Sequence, residues 1–275
     1  MRRLRRIDEV RTAIDRAQRV GLVPTMGALH EGHLSLLRAA RAECDLVVVS
    51  LFVNPAQFGT NEDLDRYPRD EERDAQLAEQ EGVDLLFAPD ADDLYPAGFA
   101  TWVNVEGTGA EGKARPGHFR GVATVCLKLF NIVRPDVAYF GQKDAQQAAV
   151  LRRVVRDLNL DVEVRVLPTV RDKDGLALSS RNAYLSPEER KRALALPRAL
   201  EAGRAAHARG EDPVAAAKAQ LNGLQPEYVE VVDLDGTTVL ASAARIGSTR
   251  LIDNVILESP RQASAWLGPP KTKEN

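Results

Sequence analysis

Half of the chain's four histidines fall within four residues, in Pro24-Thr25-Met26-Gly27-Ala28-Leu29-His30-Glu31-Gly32-His33. Two imidazoles three positions apart share a helix face, and Gly32 between them leaves the backbone open to the same ligand. That pairing suits charge stabilisation on a phosphate chain; the plainer alternative is two surface histidines at a helix start. In Phe140-Gly141-Gln142-Lys143-Asp144-Ala145-Gln146-Gln147, Gly141 permits close backbone approach, Lys143 is a compact cation for a phosphate oxygen, and Gln147 lies one helical turn further on. Leu178-Ser179-Ser180-Arg181-Asn182 places two hydroxyls and a guanidinium in tandem. Such a group clamps and releases phosphates, although the same residues also make an ordinary loop. Asn54 and Gln57, in Ser50-Leu51-Phe52-Val53-Asn54-Pro55-Ala56-Gln57-Phe58, are neutral donors and acceptors that orient hydroxyls and a carboxylate, or else end a strand in an Asn-Pro turn. Arg115-Pro116-Gly117-His118-Phe119-Arg120-Gly121-Val122 either shapes a pocket or caps a helix, and Asp74 taken alone is one charge on a charged helix face.

These residues need elements to hold them, and the hydrophobic pattern supplies alternating helices and strands. Leu4, Ile7, Val10, Ile14 and Ala17 recur at helical spacing, and residues 21–24 read as a strand ending in a loop. A helix over 31–41 follows, then a Val-rich run over 45–52 that is too short for a helix and reads as a strand buried on both faces. The alternation continues with a helix over 70–81, a strand over 83–87, a long helix over 119–133, a strand over 137–140, a helix over 145–158 and a strand through Val162, Val164 and Val166. This predicts an α/β, Rossmann-like, doubly wound parallel sheet over 1–169, with each chemical cluster at a strand end. The rest, 170–275, is expected to be a smaller α+β domain with strands over 229–233 and 251–257, opened by an Asp172-Lys173-Asp174-Gly175 turn that acts as a hinge or mobile loop. The Pro/Lys-rich stretch over 268–275 is expected to fray.

Taken in order, the clusters resemble a known family. His30-Glu31-Gly32-His33 is similar to the HIGH signature of the nucleotidyltransferase superfamily, and the ten residues ending at His33 resemble the fingerprint of the pantothenate synthetase family. Asn54 and Gln57 match its FVNPxQF motif, and Asp63-Leu64-Asp65-Arg66-Tyr67-Pro68-Arg69 its segment over the substrate. Gly141 to Gln147 match GxKDxQQ, Thr169-Val170-Arg171 match PTVR, and Leu178 to Asn182 match its KMSKS-like loop, MSSRN. Two departures stand out: Gln142 where Glu is common, and Leu178 in place of Met.

The resemblance implies an ATP-dependent condensation of (R)-pantoate with β-alanine through a pantoyl adenylate, releasing pyrophosphate and AMP. It implies catalytic roles for His33, His30, Lys143 and Arg181, with His33 donating a proton or hydrogen bond to the α-phosphate. ATP contacts are implied for Met26, Gly27, Ala28, Leu29, His30, Glu31, Gly32 and His33; for Gly141, Gln142, Lys143 and Asp144; and for Val170, Leu178, Ser179, Ser180 and Arg181. Gln57, Gln147 and Asn54 would hold pantoate, Gln57 also touching β-alanine, and Asp74 would associate with a Mg2+ that accompanies ATP. A homodimer through the first domain is likewise implied.

Composition sets the alternatives. A net charge of -3 and pI near 5.9 give no field favouring nucleic acid or an anionic membrane. No apolar run approaches the roughly 20 residues of a membrane span, and the Arg-rich start lacks the apolar core of a signal peptide. Cys44 and Cys126 lack metal or disulfide spacing and read as buried thiols. A cytoplasmic enzyme without nucleic-acid or membrane partners is expected. An aminoacyl-tRNA synthetase would need an anticodon-binding module and a basic surface. A non-catalytic nucleotide-binding regulator would be expected to lose Lys143 or the histidines.

Overall fold

The computed structural model describes residues 1–60, 62–221 and 223–258. In the first half, strands and helices alternate: β1 Arg2–Leu4, α1 Ile7–Ala13, β2 Val20–Thr25, α2 Glu31–Glu43, β3 Leu46–Leu51, α3 Glu71–Gln80, β4 Leu85–Phe87, α4 Ala91–Leu94, α5 Gly109–Ala114, α6 His118–Val133, β5 Val137–Gly141, α7 Ala145–Asp157 and β6 Glu163–Leu167. The six strands form one parallel sheet in the order β1-β4-β3-β2-β5-β6. Strands β2 and β3 have almost no polar side chains because both their faces are covered. Val10, Leu22, Val48, Phe87 and Leu129 join one core on the side of α1, α6 and α7. Val23, Leu37, Val49, Ala75 and Leu86 join a second on the side of α2 and α3.

The chain winds outward from β2 through β3 to β4, then crosses back to β5 on the other side of β2. The carboxyl ends of β2 and β5 therefore flank a topological switch point, the place where open α/β sheets bind ligands. His30 and His33 follow β2, and Lys143 follows β5.

After β6 come α8 Pro187–Ala193, α9 Ala195–Ala208 and α10 Pro213–Gln220, then β7 Gln225–Leu234, β8 Thr237–Ile246 and β9 Thr249–Glu258. These strands form a three-stranded antiparallel sheet in the order β7-β8-β9. One face packs on α9 and α10 through Leu200, Ala217, Val229 and Leu240. Tyr228, Val239, Ala241 and Ala243 on the other face meet Ala110 of α5, joining the small sheet to the large one.

The first helix and strand β8 differ from the sequence reading. Leu4 lies in β1, an edge strand paired with β4, not in the helix that begins at Ile7. That helix stops at Ala13 because Ile14 turns to extended backbone. Strand β8 carries no clear strand pattern in the sequence, since its centre is Ala-Ser-Ala-Ala, residues poor in strand preference, all four of them buried. The Asp172–Gly175 turn closes a small hairpin in which Arg171 pairs with Ala177, Gly175 adopts φ 91°, and Arg190 binds both Asp172 and Asp174 at 2.6 and 2.8 Å. Residues 268–275 lie outside the described residues.

Candidate active site

His30 is the N-cap of α2, and its Nδ1 accepts the Gly32 N–H at 3.1 Å. His33 Nδ1 accepts the His30 N–H at 3.3 Å, and the two rings lie against each other tilted by 30°, with centroids 4.1 Å apart. A Cβ at position 32 would stand 2.9 Å from the His30 ring, so the glycine is what lets the rings sit this close to the backbone. Burial, with the Lys143 charge second, lowers His30 to about 4, and burial also pushes His33 well below 6.5, followed by His30 and Lys143. Both imidazoles are therefore neutral near pH 7. With each Nδ1 accepting, the proton of each ring sits on Nε2, leaving two uncharged N–H donors for a ligand.

The loop that delivers them is tied from beneath. Asp74 of α3 is 1% exposed, and its two carboxylate oxygens accept the Ala28 and Leu29 N–H groups, both at 2.7 Å. Burial raises its carboxyl, and those two hydrogen bonds oppose the shift. Gly27 has φ 81° with the Asp74 carboxylate 2.9 Å from where a Cβ would lie, so a side chain there would collide with this anchor. Leu29 is core, and Glu31 turns its exposed carboxylate outward to Arg38.

The Lys143 ammonium lies 3.2 Å from Asp144 at the end of β5. Arg181 makes a two-pronged contact to Asp63, both bonds 2.8 Å, and lies over the Tyr67 ring. Burial opposes ionisation of Asp63, yet the Arg181 contact brings its carboxyl below the usual range. Ser180 donates from Oγ to the Ala28 carbonyl at 3.1 Å, so the Ser-Ser-Arg loop closes directly onto the histidine loop. Asn54 is 1% exposed and fully engaged: its Nδ2 donates to the Gly121 carbonyl and to Gln57 Oε1, and its Oδ1 accepts the Ala56 N–H. It builds the turn that presents Gln57, so the Asn-Pro turn and the positioning of Gln57 are one feature.

Two cavities result. One is lined by His30, His33, Tyr67, Val170, Leu178 and Ser180 among others, the second by Glu62, Glu111, His118, Tyr228 and Arg250 among others. They meet at Met26, Gln57, Lys143, Asp144, Gln147, Ser179 and Arg181. The clusters read from the sequence thus converge on one cleft, except for Gly27, Ala28, Leu29, Glu31, Gln142 and Asp74, which lie behind or beside its wall.

The structure also brings in residues to which the sequence reading assigns no individual role. Ser50 Oγ and Thr169 Oγ1 are buried in the cleft wall without a partner among the described residues. His118 accepts from Arg115 at Nε2, 3.0 Å, and so donates from Nδ1 to the Gln57 carbonyl at 2.9 Å; burial, then Arg115, lowers it to about 4. Glu111, 4% exposed, receives Arg250 through two bonds of 2.8 and 2.9 Å and Tyr228 at 2.9 Å. Burial alone would raise its carboxyl, but Arg250 and Arg115 draw it down to about 2. Glu111, Tyr228 and Arg250 lie in none of the sequence clusters, and only contacts between elements distant in sequence reveal them.

Residues 2–256 match the family described as pantoate-beta-alanine ligase. A pantothenate synthetase of Pelotomaculum thermopropionicum is 54% identical over 266 residues, which cover 90% of this chain and 94% of the relative. The chain belongs to the pantoate-beta-alanine ligase family. Members of known structure share its architecture. The Thermus thermophilus pantothenate synthetase superposes with a TM-score of 0.90 at 48% identity, covering 94% of this chain and all of that one. A pantoate-beta-alanine ligase from Francisella tularensis, solved with beta-gamma ATP and beta-alanine, superposes with a TM-score of 0.82 at 35% identity, covering 94% of this chain and 99% of that one. As a pantoate-beta-alanine ligase the protein is an enzyme that condenses pantoate with β-alanine using ATP.

Proposed function

We propose that this cleft performs the condensation in two steps on one constellation of residues. In the first, a pantoate carboxylate oxygen attacks the α-phosphorus of ATP, the bond to the β-phosphate oxygen breaks, and pyrophosphate leaves. In the second, the β-alanine amine attacks the pantoyl carbonyl, AMP departs, and the amine loses a proton. The observation that supports this reading is the convergence of two neutral Nε2–H donors, Lys143 and the Ser179-Ser180-Arg181 loop around one switch-point cleft.

No side chain serves as nucleophile, so the first step needs charge stabilisation and in-line positioning. His33 and His30 donate to the α-phosphate oxygens as its charge develops. Lys143, Ser179, Ser180 and Arg181 hold the triphosphate, Val170 and Leu178 flank the adenine, and Gly141 and Asp144 lie at the nucleotide's edge. Gln57 and Gln147, at the junction of the two cavities, hold pantoate, and Gln57 also faces β-alanine. Met26 and Gly32 line the same wall, while Gly27, Ala28, Leu29, Glu31 and Gln142 contribute loop shape. Closure of the clamp loop shields the adenylate from water.

Magnesium enters as the ATP complex, held by phosphate oxygens. Asp74 does not fit as its ligand, because its carboxylate is buried beneath the histidine loop and anchors two backbone N–H groups. Among the described residues no group of three or more His, Cys, Asp or Glu side chains is arranged to hold a metal, and no helix is long and apolar enough to cross a membrane. We further assign the enzyme to the cytoplasm, as a homodimer through the first domain, without nucleic-acid or membrane partners.

The test is to incubate the purified protein with ATP, Mg2+ and pantoate, with and without β-alanine, alongside His33→Ala. Pyrophosphate should require pantoate, and AMP and pantothenate should require β-alanine as well. Pyrophosphate release that ignores pantoate would overturn the order of steps.

A further inference from the structure

Lys143 sits on a 3-10 turn, Gln142–Asp144, that has no side-chain cap of its own and follows Gly141, whose Cα has open space around it. The turn is fixed from outside its own sheet. Asn254, in edge strand β9 of the small sheet and 6% exposed, donates through both amide hydrogens, to the Gln142 carbonyl and to the Lys143 carbonyl, each at 2.9 Å. Its Oδ1 accepts Gln142 Nε2 at 3.0 Å. All three bonds converge on the turn, and only one orientation of the amide satisfies them. The neighbouring strand residue, Asp253, points the other way and holds Arg171 by two bonds of 2.6 and 3.0 Å at the base of the hairpin leading to Ser179. One dipeptide of β9 thus braces both the Lys143 turn and the approach to the clamp loop.

We propose that Asn254 is a positioning residue for adenylation, setting where the Lys143 ammonium meets the triphosphate by holding the backbone carbonyls of its turn. The proposal rests on the phosphate-binding role assigned to Lys143. A displacement of about 1 Å at a binding group is enough to cost around a hundredfold in rate, and Lys143 is tethered to the turn that Asn254 holds. The second step, which no longer involves the triphosphate, has no need of that placement.

The experiment measures two half-reactions on the full chain. Pantoate-dependent exchange of pyrophosphate into ATP reports the first, and conversion of supplied pantoyl adenylate by β-alanine reports the second. Asn254→Asp puts an oxygen against two carbonyls, Asn254→Leu removes the bonds at similar volume, and Gln142→Ala removes one bond from the other side. Each should raise the KM for ATP and slow exchange, by roughly ten- to a hundredfold for the Asn254 variants and less for Gln142→Ala, while the second half-reaction keeps its rate. Equal loss of both half-reactions in every variant that folds would overturn the proposal in favour of plain interdomain support, as would unchanged exchange. Lys143→Ala runs alongside: if its exchange is intact, the phosphate role of Lys143 itself fails. If Lys143→Ala is slow and the Asn254 variants are not, only the positioning role of Asn254 fails.

Discussion

His30 and His33 share a tautomer, and each is held in it by a backbone N–H from its own loop. Burial first, and then the Lys143 charge for His30 and the His30 ring for His33, shifts both groups toward the neutral form, which spares the site two charged imidazoles 4.1 Å apart. What each side chain offers ATP is a hydrogen bond, with no formal charge. A glutamine amide reaches close to where Nε2 lies and also donates. His33→Gln should therefore retain more pyrophosphate-forming activity than His33→Ala, which should lose about 10²- to 10³-fold, as removal of a charge-stabilising donor does. Because the free-enzyme His30 titrates near 4, kcat/KM for ATP should show no histidine inflection between pH 6 and 8. An acid limb near 6.5 that disappears in either histidine variant would contradict the neutral-donor reading. The sequence made this pair legible through type and spacing, but not its protonation, which follows from burial and from the backbone donors.

The strand ends were the most legible elements. A Val-rich run leading into Ser50-Leu51-Phe52, and Val137 to Gly141 leading into Lys143, announce buried parallel strands with chemistry at their carboxyl ends. Supports that arrive from elsewhere in the chain left no such mark. Asp74 looks like any acid on a charged helix, yet α3 is placed so that this one carboxylate enters the core and anchors the loop after β2. Asp74→Asn keeps the shape but turns an amide donor toward a backbone donor. Its unfolding midpoint in denaturant should fall by the equivalent of about 1 to 3 kcal/mol. The Mg2+ concentration giving half-maximal activity should stay where it is. A shifted Mg2+ requirement at unchanged stability would restore the metal role. Strand β8 was equally hidden, since a strand covered on both sides by α9 and by α5 needs small residues, and Ala-Ser-Ala-Ala carries no period-two signal.

Across the whole molecule, the two sheets are joined by buried charge. Glu111 on α5 binds Arg250 of β9, Tyr228 of β7 and Arg115, whose guanidinium continues to Glu62 and His118. Removing one member of a buried ion pair strands its partner: Glu111→Ala should cost about 3 to 5 kcal/mol, and Glu111→Ala with Arg250→Met distinctly less. Urea titrations of the two variants check this; equal losses would mean the charges are not coupled. The pH course follows with its sign. Glu111 sits below its ordinary 4.5, so its contribution is complete above that value and is lost as pH falls toward 2. His30 and His118 sit below 6.5, so the unfolded chain binds their protons first and stability falls as pH drops from about 6.5 toward 4. The two cysteines are the quietest part of this interior. Cys44 and Cys126 are free and buried, and burial raises both thiols, Cys126 to about 12. At neutral pH neither offers a thiolate to an alkylating dye. Lys173→Cys, on the exposed tip of the hairpin before Ser179, would then supply the one reactive thiol of the folded chain, a ready attachment point for a fluorophore that follows the clamp loop turnover by turnover.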